Sequence, residues 1–314
     1  MRALTTLALG CGVLAVLGFT TVRLLGMDDS RYTVAVLALT PYVFGGALVL
    51  VLLTLLTRRM VLAVCAGALA VLLGVLVLPR VLPNGQPPVS GQAFVVASAN
   101  LHIGNGASGI VDLVREHQVD VLSLQELTPA AVEALDAAGL DKLLPHRVFY
   151  TEPAVNGSGI AARYPLHQRV LQPPSTIRQP AVMIQLPDGS EVEVQVVHPV
   201  QPLGLHGNAT WQHEMSLLPP PRDDDTMRLL VGDFNSTLDH PPLRRLLSAG
   251  YVDAADQVGA GLRTTWPTDR GLWPPQVAID HVLADSRCAV RSFEVLDVPN
   301  SDHRAIVASL VLPA

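Results

Sequence analysis

Cysteine is scarce in this chain. Of three, Cys11 and Cys65 fall in long apolar runs and only Cys288 lies beyond them. A disulfide within that later part is therefore excluded. Cys288 sits in an apolar alternation, the setting of a buried strand residue. Basic clusters are missing too. Residues 1–80 hold six arginines and two aspartates, which leaves 15 basic and 25 acidic residues after position 80, a net −10. The densest basic spot there is the pair Arg244-Arg245. A duplex-binding face needs a basic stripe, so the composition argues against nucleic acid as the main substrate. No internal repeat runs through the chain.

What the first eighty residues do have is apolar length. Ala3–Leu25 contains Arg23 only near its end, and Thr33–Leu56 and Met60–Leu78 hold no charge. These runs of 19–24 residues suffice to cross a hydrocarbon core at about 1.5 Å per residue. A cleaved signal peptide is the alternative for the first. Its apolar core is too long for that, and two further runs follow directly. The expectation is a membrane anchor, residues 1–80, of three transmembrane helices at about 3–25, 33–56 and 60–78. Arg58 and Arg59 between the last two favour a cytoplasmic second loop. The N-terminus is then cytoplasmic and the domain after Leu78 extracytoplasmic, in a multi-pass protein of the cell membrane. Arg23 and Arg31 run against that bias. Asp28 and Asp29 read as solvation of the first loop.

Pro79–Gly91 is rich in proline and glycine. It reads as a linker of limited flexibility, with 81–91 its core, that keeps a domain over 92–314 close to the bilayer. In that domain, apolar runs such as Phe94–Ala99, Val119–Leu124, Glu191–Val197 and Met227–Val231 read as strands. Pro187-Asp188-Gly189 marks a hairpin turn. Ile110–His117, Ala130–Ala138, Thr210–Leu218 and Pro242–Ser248 read as helices, the second capped by Thr128 ahead of Pro129. Many strands with interleaved helices predict an α+β fold: a four-layer α/β/β/α sandwich with two sheets face to face.

Several strands finish in polar residues. Leu229–Val231 breaks at Gly232 and then offers Asp233 and Asn235, which share a face two residues apart. Asp233 suits a hard cation, and Asn235 can hold a phosphoryl oxygen or a water. Taken alone, these are ordinary turn residues. Other strands end at Asn100, at Gln125-Glu126 and at His198, and Asp280-His281 and Asp302-His303 flank two more. Oxygen and imidazole groups at so many strand ends point to one convergent cleft.

Ala99-Asn100, Gln125-Glu126, Gly159–Leu166, Val197-His198, Gly232–Asn235, Ile279–His281 and Ser301–Arg304 together resemble the endonuclease/exonuclease/phosphatase superfamily. That superfamily comprises metal-dependent phosphoesterases related to DNase I and neutral sphingomyelinases. The three-span layout also resembles actinobacterial membrane proteins associated with teicoplanin resistance. The resemblance implies Glu126 as the principal Mg²⁺ ligand (Mn²⁺ the alternative), with Asn100 beside it and Asp302 completing the metal site. It implies that Asp233 and Asn235 orient the attacking water and the phosphoryl group. His303 would be the catalytic histidine, Asp280 its carboxylate partner, and His198 a second histidine on the phosphate. Two positions depart from the pattern: His102 stands where the family often has Asp, which puts a second metal ligand in doubt, and Ala162 where it often has Ser.

Structural readings compete at each position. Glu126 could cap a helix, His198 could be a strand-end residue, and Asp280–His303 could be a packing pair. His102, His206, His213 and His281 are set outside the catalytic group, and Tyr150 and Arg147 read equally as cleft lining or strand packing. The loop Thr265–Val277, with Trp266 and Trp273, reads as core or as a contact to lipid headgroups. Three functions are expected to compete. The first is an envelope phosphatase acting on a lipid phosphate or pyrophosphate of undecaprenyl type, linked to glycopeptide resistance. The others are an anchored extracytoplasmic nuclease and a catalytically silent envelope-binding protein.

Overall fold

Alternation with a period of two builds the larger part of the molecule. The computed structural model describes residues 2–268, 271 and 274–313. Twelve strands occur among them: β1 Gly91–Asn100, β2 Val121–Gln125, β3 His146–Tyr150, β4 Ser158–Ala162, β5 Leu166–Arg169 and β6 Ala181–Gln185, then β7 Glu191–Val197, β8 Met227–Asp233, β9 Tyr251–Asp253, β10 Asp280–Asp285, β11 Ala289–Asp297 and β12 Arg304–Pro313. They form two six-stranded sheets, ordered β11-β12-β1-β2-β4-β3 and β5-β6-β7-β8-β10-β9. Each sheet has one parallel pair near its middle, β1 with β2 and β7 with β8. Each such pair is joined by a crossover that carries a helix, Ile110–Glu116 or Gly207–Leu217, as parallel pairing requires.

Residues one apart on these strands serve different layers. Phe94, Val96, Val121, Leu229 and Val231 face inward and form the core between the sheets. Ala97, Ala99, Leu122 and Leu124 face outward onto helices Ile110–Glu116 and Pro129–Ala137. Leu230, Val197 and Leu283 face outward onto helices Gly207–Leu217 and Pro241–Ser248. The result is the four-layer α/β/β/α sandwich, in which each fully buried aliphatic or aromatic side chain contributes about 1.5–3 kcal/mol.

Toward one end the inner rows turn polar. Val96 pairs with Val121, Ser98 with Ser123 and Asn100 with Gln125. In the other sheet Val231 pairs with Val282 and Asp233 with Asp280. Ser98 Oγ donates to Gln125 Oε1 (3.2 Å), Gln125 Nε2 to Ser123 Oγ (2.8 Å), and Ser123 Oγ to Val231 O across the sheets (2.9 Å). This network satisfies polar groups that would otherwise be costly to bury.

The first eighty residues form helices Arg2–Leu25, Arg31–Leu37, Thr40–Leu56 and Met60–Val77, the last continuing as one 3₁₀ turn, Leu78–Val81. Among the described residues, two helices are long and apolar enough to cross a membrane, and a third span results if the bent pair counts as one. The span expected at about 33–56 is built of two helices, Arg31–Leu37 and Thr40–Leu56, that meet at 63°. Pro41 in the first turn of the second piece lacks an N–H and disfavours helix at the residue before it, which explains the break. Leu4, Leu7, Leu14, Val61, Val64 and Val71 are exposed, and clustered apolar exposure of this kind marks a contact face. Arg59 Nη2 donates to Arg2 O, so the second loop lies beside the N-terminal end. The stretch after Val77 is pinned rather than free. Arg80 O accepts from Gly261 N, Asn84 N donates to Gln257 O, and Pro83 bridges Val258.

Candidate active site

The polar ends of β1, β2, β7, β8 and β10 converge at one end of the sandwich. Gly232 makes the approach of β7 and β8 possible: a Cβ there would lie 2.0 Å from Val197 O. The chain then turns sharply, with Asn235 at φ 49° and its N–H donating to Asp233 Oδ1 (2.8 Å). Glu126, His102 and Ile103 are also left-handed, at φ 56°, 46° and 56°. Non-glycine residues in that region cost about 1–3 kcal/mol each, and such residues gather at functional sites.

Asp233, Asp280 and His303 are buried with their ligand atoms within 4.8 Å of one another. His303 Nδ1 donates to Asp280 Oδ2 (3.0 Å), and its Nε2 stands 3.8 Å from Asp233 Oδ2. Burial opposes charge on His303, but Asp280 and Asp233 outweigh it and raise the imidazole to about 10. Burial, then the nearby Asp280, push Asp233 up to about 7. His198 Nε2 is 4.0 Å from Asp233 Oδ2, while its Nδ1 is buried without a hydrogen-bond partner. Burial, then the charge of His303, lower His198 to about 4. One cationic and one neutral imidazole thus face a carboxyl poised near neutrality, an arrangement suited to moving a proton and holding an anion.

Asn100 joins the halves of the site. Its Nδ2 lies 3.2 Å from Asp233 Oδ2 and 3.4 Å from Glu126 Oε1. Glu126 Oε2 accepts from Ile103 N (2.7 Å), and burial, the leading cause, raises its carboxyl above the usual 4.5. Asp302 accepts from Trp266 Nε1 (3.0 Å) on one oxygen and pairs with His102 Nδ1 (2.7 Å) on the other. Each oxygen of Glu126 and Asp302 keeps a lone pair beyond these bonds. Two carboxylates and the Asn100 carboxamide oxygen, which accepts from His102 N (3.0 Å), are donors of the kind a hard divalent cation takes. Among the described residues, however, the acid and imidazole atoms that gather within 4.8 Å are those of Asp233, Asp280 and His303, joined by the His303–Asp280 hydrogen bond.

Other sequence candidates are placed elsewhere. His281 lies on the opposite face of β10 from Asp280, bonded to Asp253 Oδ2 and Ser236 O. Trp211 is core and donates to Phe234 O. Arg147 pairs with Asp136, whereas Tyr150 lines an open groove of about 650 Å³ with Arg169, Arg178 and Gln179. Gln179 Oε1 accepts from His198 N, so the groove abuts the site. Trp273 lies outside the described residues. Three residues contribute to the site although sequence reasoning assigned them no role in it. Trp266 packs its ring 6.3 Å from that of His303. Thr265 Oγ1 accepts from Ile279 N and Asp280 N. Ser301 Oγ donates to Asn100 O and accepts from His303 N. His102, set aside beforehand, stands on Asp302. A hydroxyl next to a catalytic acid was the only available signal.

The two-sheet sandwich with acids, amide and imidazoles at one end defines a phosphoester-hydrolase fold of DNase I type. The sequence profile of the Endonuclease/Exonuclease/phosphatase family matches residues 97–303, and the chain belongs to that family, whose members hydrolyse phosphoester bonds. Solved structures with the same fold include an endonuclease/exonuclease/phosphatase family protein from Bacteroides thetaiotaomicron (17% identity, TM-score 0.54, 72% of this chain and 100% of that one). A Beutenbergia cavernae endonuclease/exonuclease/phosphatase shares 18% identity at TM-score 0.52, over 71% of this chain and 72% of that one. D. rerio TDP2 complexed with a single-strand DNA product shares 16% identity at TM-score 0.55, over 70% and 99%. No curated protein matches the sequence.

Proposed function

We propose that the protein is a membrane-anchored, extracytoplasmic, Mg²⁺-dependent phosphoesterase that dephosphorylates a lipid phosphate or pyrophosphate of the cell envelope. An undecaprenyl-type carrier is the substrate class. One observation carries this reading: Tyr42 Oη, at the start of anchor helix Thr40–Leu56, donates to Gln276 O (2.7 Å). Gln276 precedes Val277, which pairs with Trp266, and Trp266 lies against His303. The rim of the cleft therefore touches the apolar anchor.

Glu126, Asn100 and Asp302 would hold the cation, which supplies Lewis-acid charge neutralisation on the phosphoryl oxygens. Asn235, fixed by Nδ2 donation to Pro199 O (3.1 Å), orients the water. Asp233 takes that water's proton as oxygen bonds to phosphorus and the bond to the leaving oxygen breaks. His303, cationic and braced by Asp280, stabilises charge on the phosphoryl group. His198, whose Nε2 is the ring nitrogen on the Asp233 side, donates from that N–H to the same oxygens.

The test is phosphate release by full-length protein in detergent with Mg²⁺. Polyprenyl phosphate and pyrophosphate should be cleaved, EDTA should stop the reaction, and Glu126→Ala should abolish it. The groove with Arg169 and Arg178 favours a second reading, an anchored nuclease. Plasmid or RNA cleavage lost in Glu126→Ala, with no lipid phosphate hydrolysed, would establish that alternative. A reporter fused after Ala314 that works only outside the cytoplasm tests the orientation. Teicoplanin sensitivity of a deletion strain tests the link to resistance, which rests on the three-span layout.

A further inference from the structure

The loop that leaves β8 toward the site ends in a second buried acid. Asp239, 1% exposed, is six positions after Asp233. Its Oδ1 accepts from Arg23 Nε and Arg80 Nη2, both at 2.7 Å, and its Oδ2 from Arg80 Nη1 at 2.8 Å. Both arginines belong to anchor ends: Arg23 is in the last turn of Arg2–Leu25, and Arg80 in the turn that follows Met60–Val77. The neighbouring His240 accepts from Thr237 N on Nδ1, so its Nε2–H donates to Val34 O (2.9 Å). Val34 is itself buried among Trp211, Met215 and Leu243. Asn208 Nδ2 and Gln212 Nε2 both donate to Asp28 O. Ends of all the long apolar segments thus enter the sandwich's own outer core and are not merely joined to it by a tether.

The contacts of Asp239, His240 and Gln276 fall on the two loops that carry site residues. Residues 232–240 hold Asp233 and Asn235 at one end and Asp239 and His240 at the other. Residues 264–277 hold Thr265 and Trp266, with Gln276 bonded to Tyr42. A buried carboxylate shared by two guanidiniums has one geometry, because each charge left unpaired would be costly. It therefore fixes direction as well as distance.

We propose that the anchor orients the active site from outside it: Asp239, gripped by Arg23 and Arg80, is a positioning residue that holds the cleft against the bilayer surface and so favours phosphoesters whose apolar chain stays in the membrane. The substrate class rests on the function proposed above; the docking itself does not. Selection follows because a chain anchored in the same bilayer meets a cleft already held at its depth, without the orientational loss a swinging domain would incur.

The test uses full-length protein in phosphatidylcholine–phosphatidylglycerol liposomes. Wild type, Asp239→Asn, Arg23→Gln and Tyr42→Phe are compared on a polyprenyl phosphate in the same vesicle and on soluble bis(p-nitrophenyl) phosphate. Asp239→Asn should raise KM for the lipid about 10- to 100-fold and keep kcat on the soluble ester within about twofold. Arg23→Gln and Tyr42→Phe should follow with smaller shifts and remain informative if Asp239→Asn fails to fold. Amide exchange over 236–246 and 257–261 should speed up in Asp239→Asn and Arg23→Gln. An unchanged lipid-to-soluble ratio, or equal loss on both substrates, overturns the selection. Unchanged exchange overturns the docking. Wild type that cleaves the soluble ester but no lipid phosphate removes the proposed substrate, and exchange then still decides the docking.

Discussion

Asp233 ends β8 and Asp239 lies in the loop that follows it, both buried, in opposite electrostatic states. Asp233 has two amide donors, an acid neighbour and an imidazolium about 4 Å away, and is pushed up to about 7. Burial pushes Asp239 the same way, but the hydrogen bonds and charge of Arg80, with those of Arg23, hold it below its usual 3.8. Burial alone therefore does not distinguish a working acid from a structural one. Compensation does: the fully paired carboxylate is a rivet, and the under-paired one is free to exchange a proton.

Exchanging each acid for its amide should separate the two roles. Asp233→Asn should lower kcat by roughly 10²–10⁴-fold, seen as phosphate release, and leave the urea midpoint unchanged or raised. Asp239→Asn should leave two buried guanidiniums short of a partner and destabilise by about 3–5 kcal/mol, seen in the same urea titration. Equal stability losses in both variants would erase the contrast.

A pair of buried histidines sharpens it. His281 faces acceptors on both nitrogens, Asp253 Oδ2 and Ser236 O, and burial is outweighed by Asp253 so that its pKa is raised. Its stabilisation is fully present below 6.5 and is lost as pH rises through the folded value. His240 is neutral, lowered mainly by burial. Its contribution is fully present above 6.5 and fades as pH falls through the folded value. His281→Gln should therefore flatten the alkaline side of the stability–pH curve and His240→Gln the acidic side, both read by thermal melts across pH. The smallest effect is expected at the rim. Trp266→Phe removes the indole bond to Asp302, worth about 1.5 kcal/mol, so activity should fall several-fold with little change in melting temperature.

Strands β1, β2, β7 and β8 were legible because each is a short, largely apolar run. Short, polar elements were not: β5 (Leu166–Arg169) and β9 (Tyr251–Asp253) carry too few apolar positions to show a period. Strand-end acids stood out in Asp233 and Glu126 because each follows an apolar run. Thr265 and Ser301 did not, since a lone hydroxyl in a loop looks like any turn residue. Asp239 was invisible for another reason. Its partners Arg23 and Arg80 lie 216 and 159 positions away, and nothing local marks that pairing.

By itself, the sequence determined the apolar segments, the inward and outward rows of the sheets, and which strands end in acid, amide or imidazole, because these follow from periodicities of two and 3.6 and from turn chemistry over a few residues. Only the tertiary structure decided that His303 is charged and His198 neutral, that His281 is a brace, and that two arginines at the ends of the N-terminal apolar helices close on Asp239. Those states depend on which distant charges share a dry pocket, and Coulomb interaction there depends on distance and burial, which no stretch of chain specifies alone.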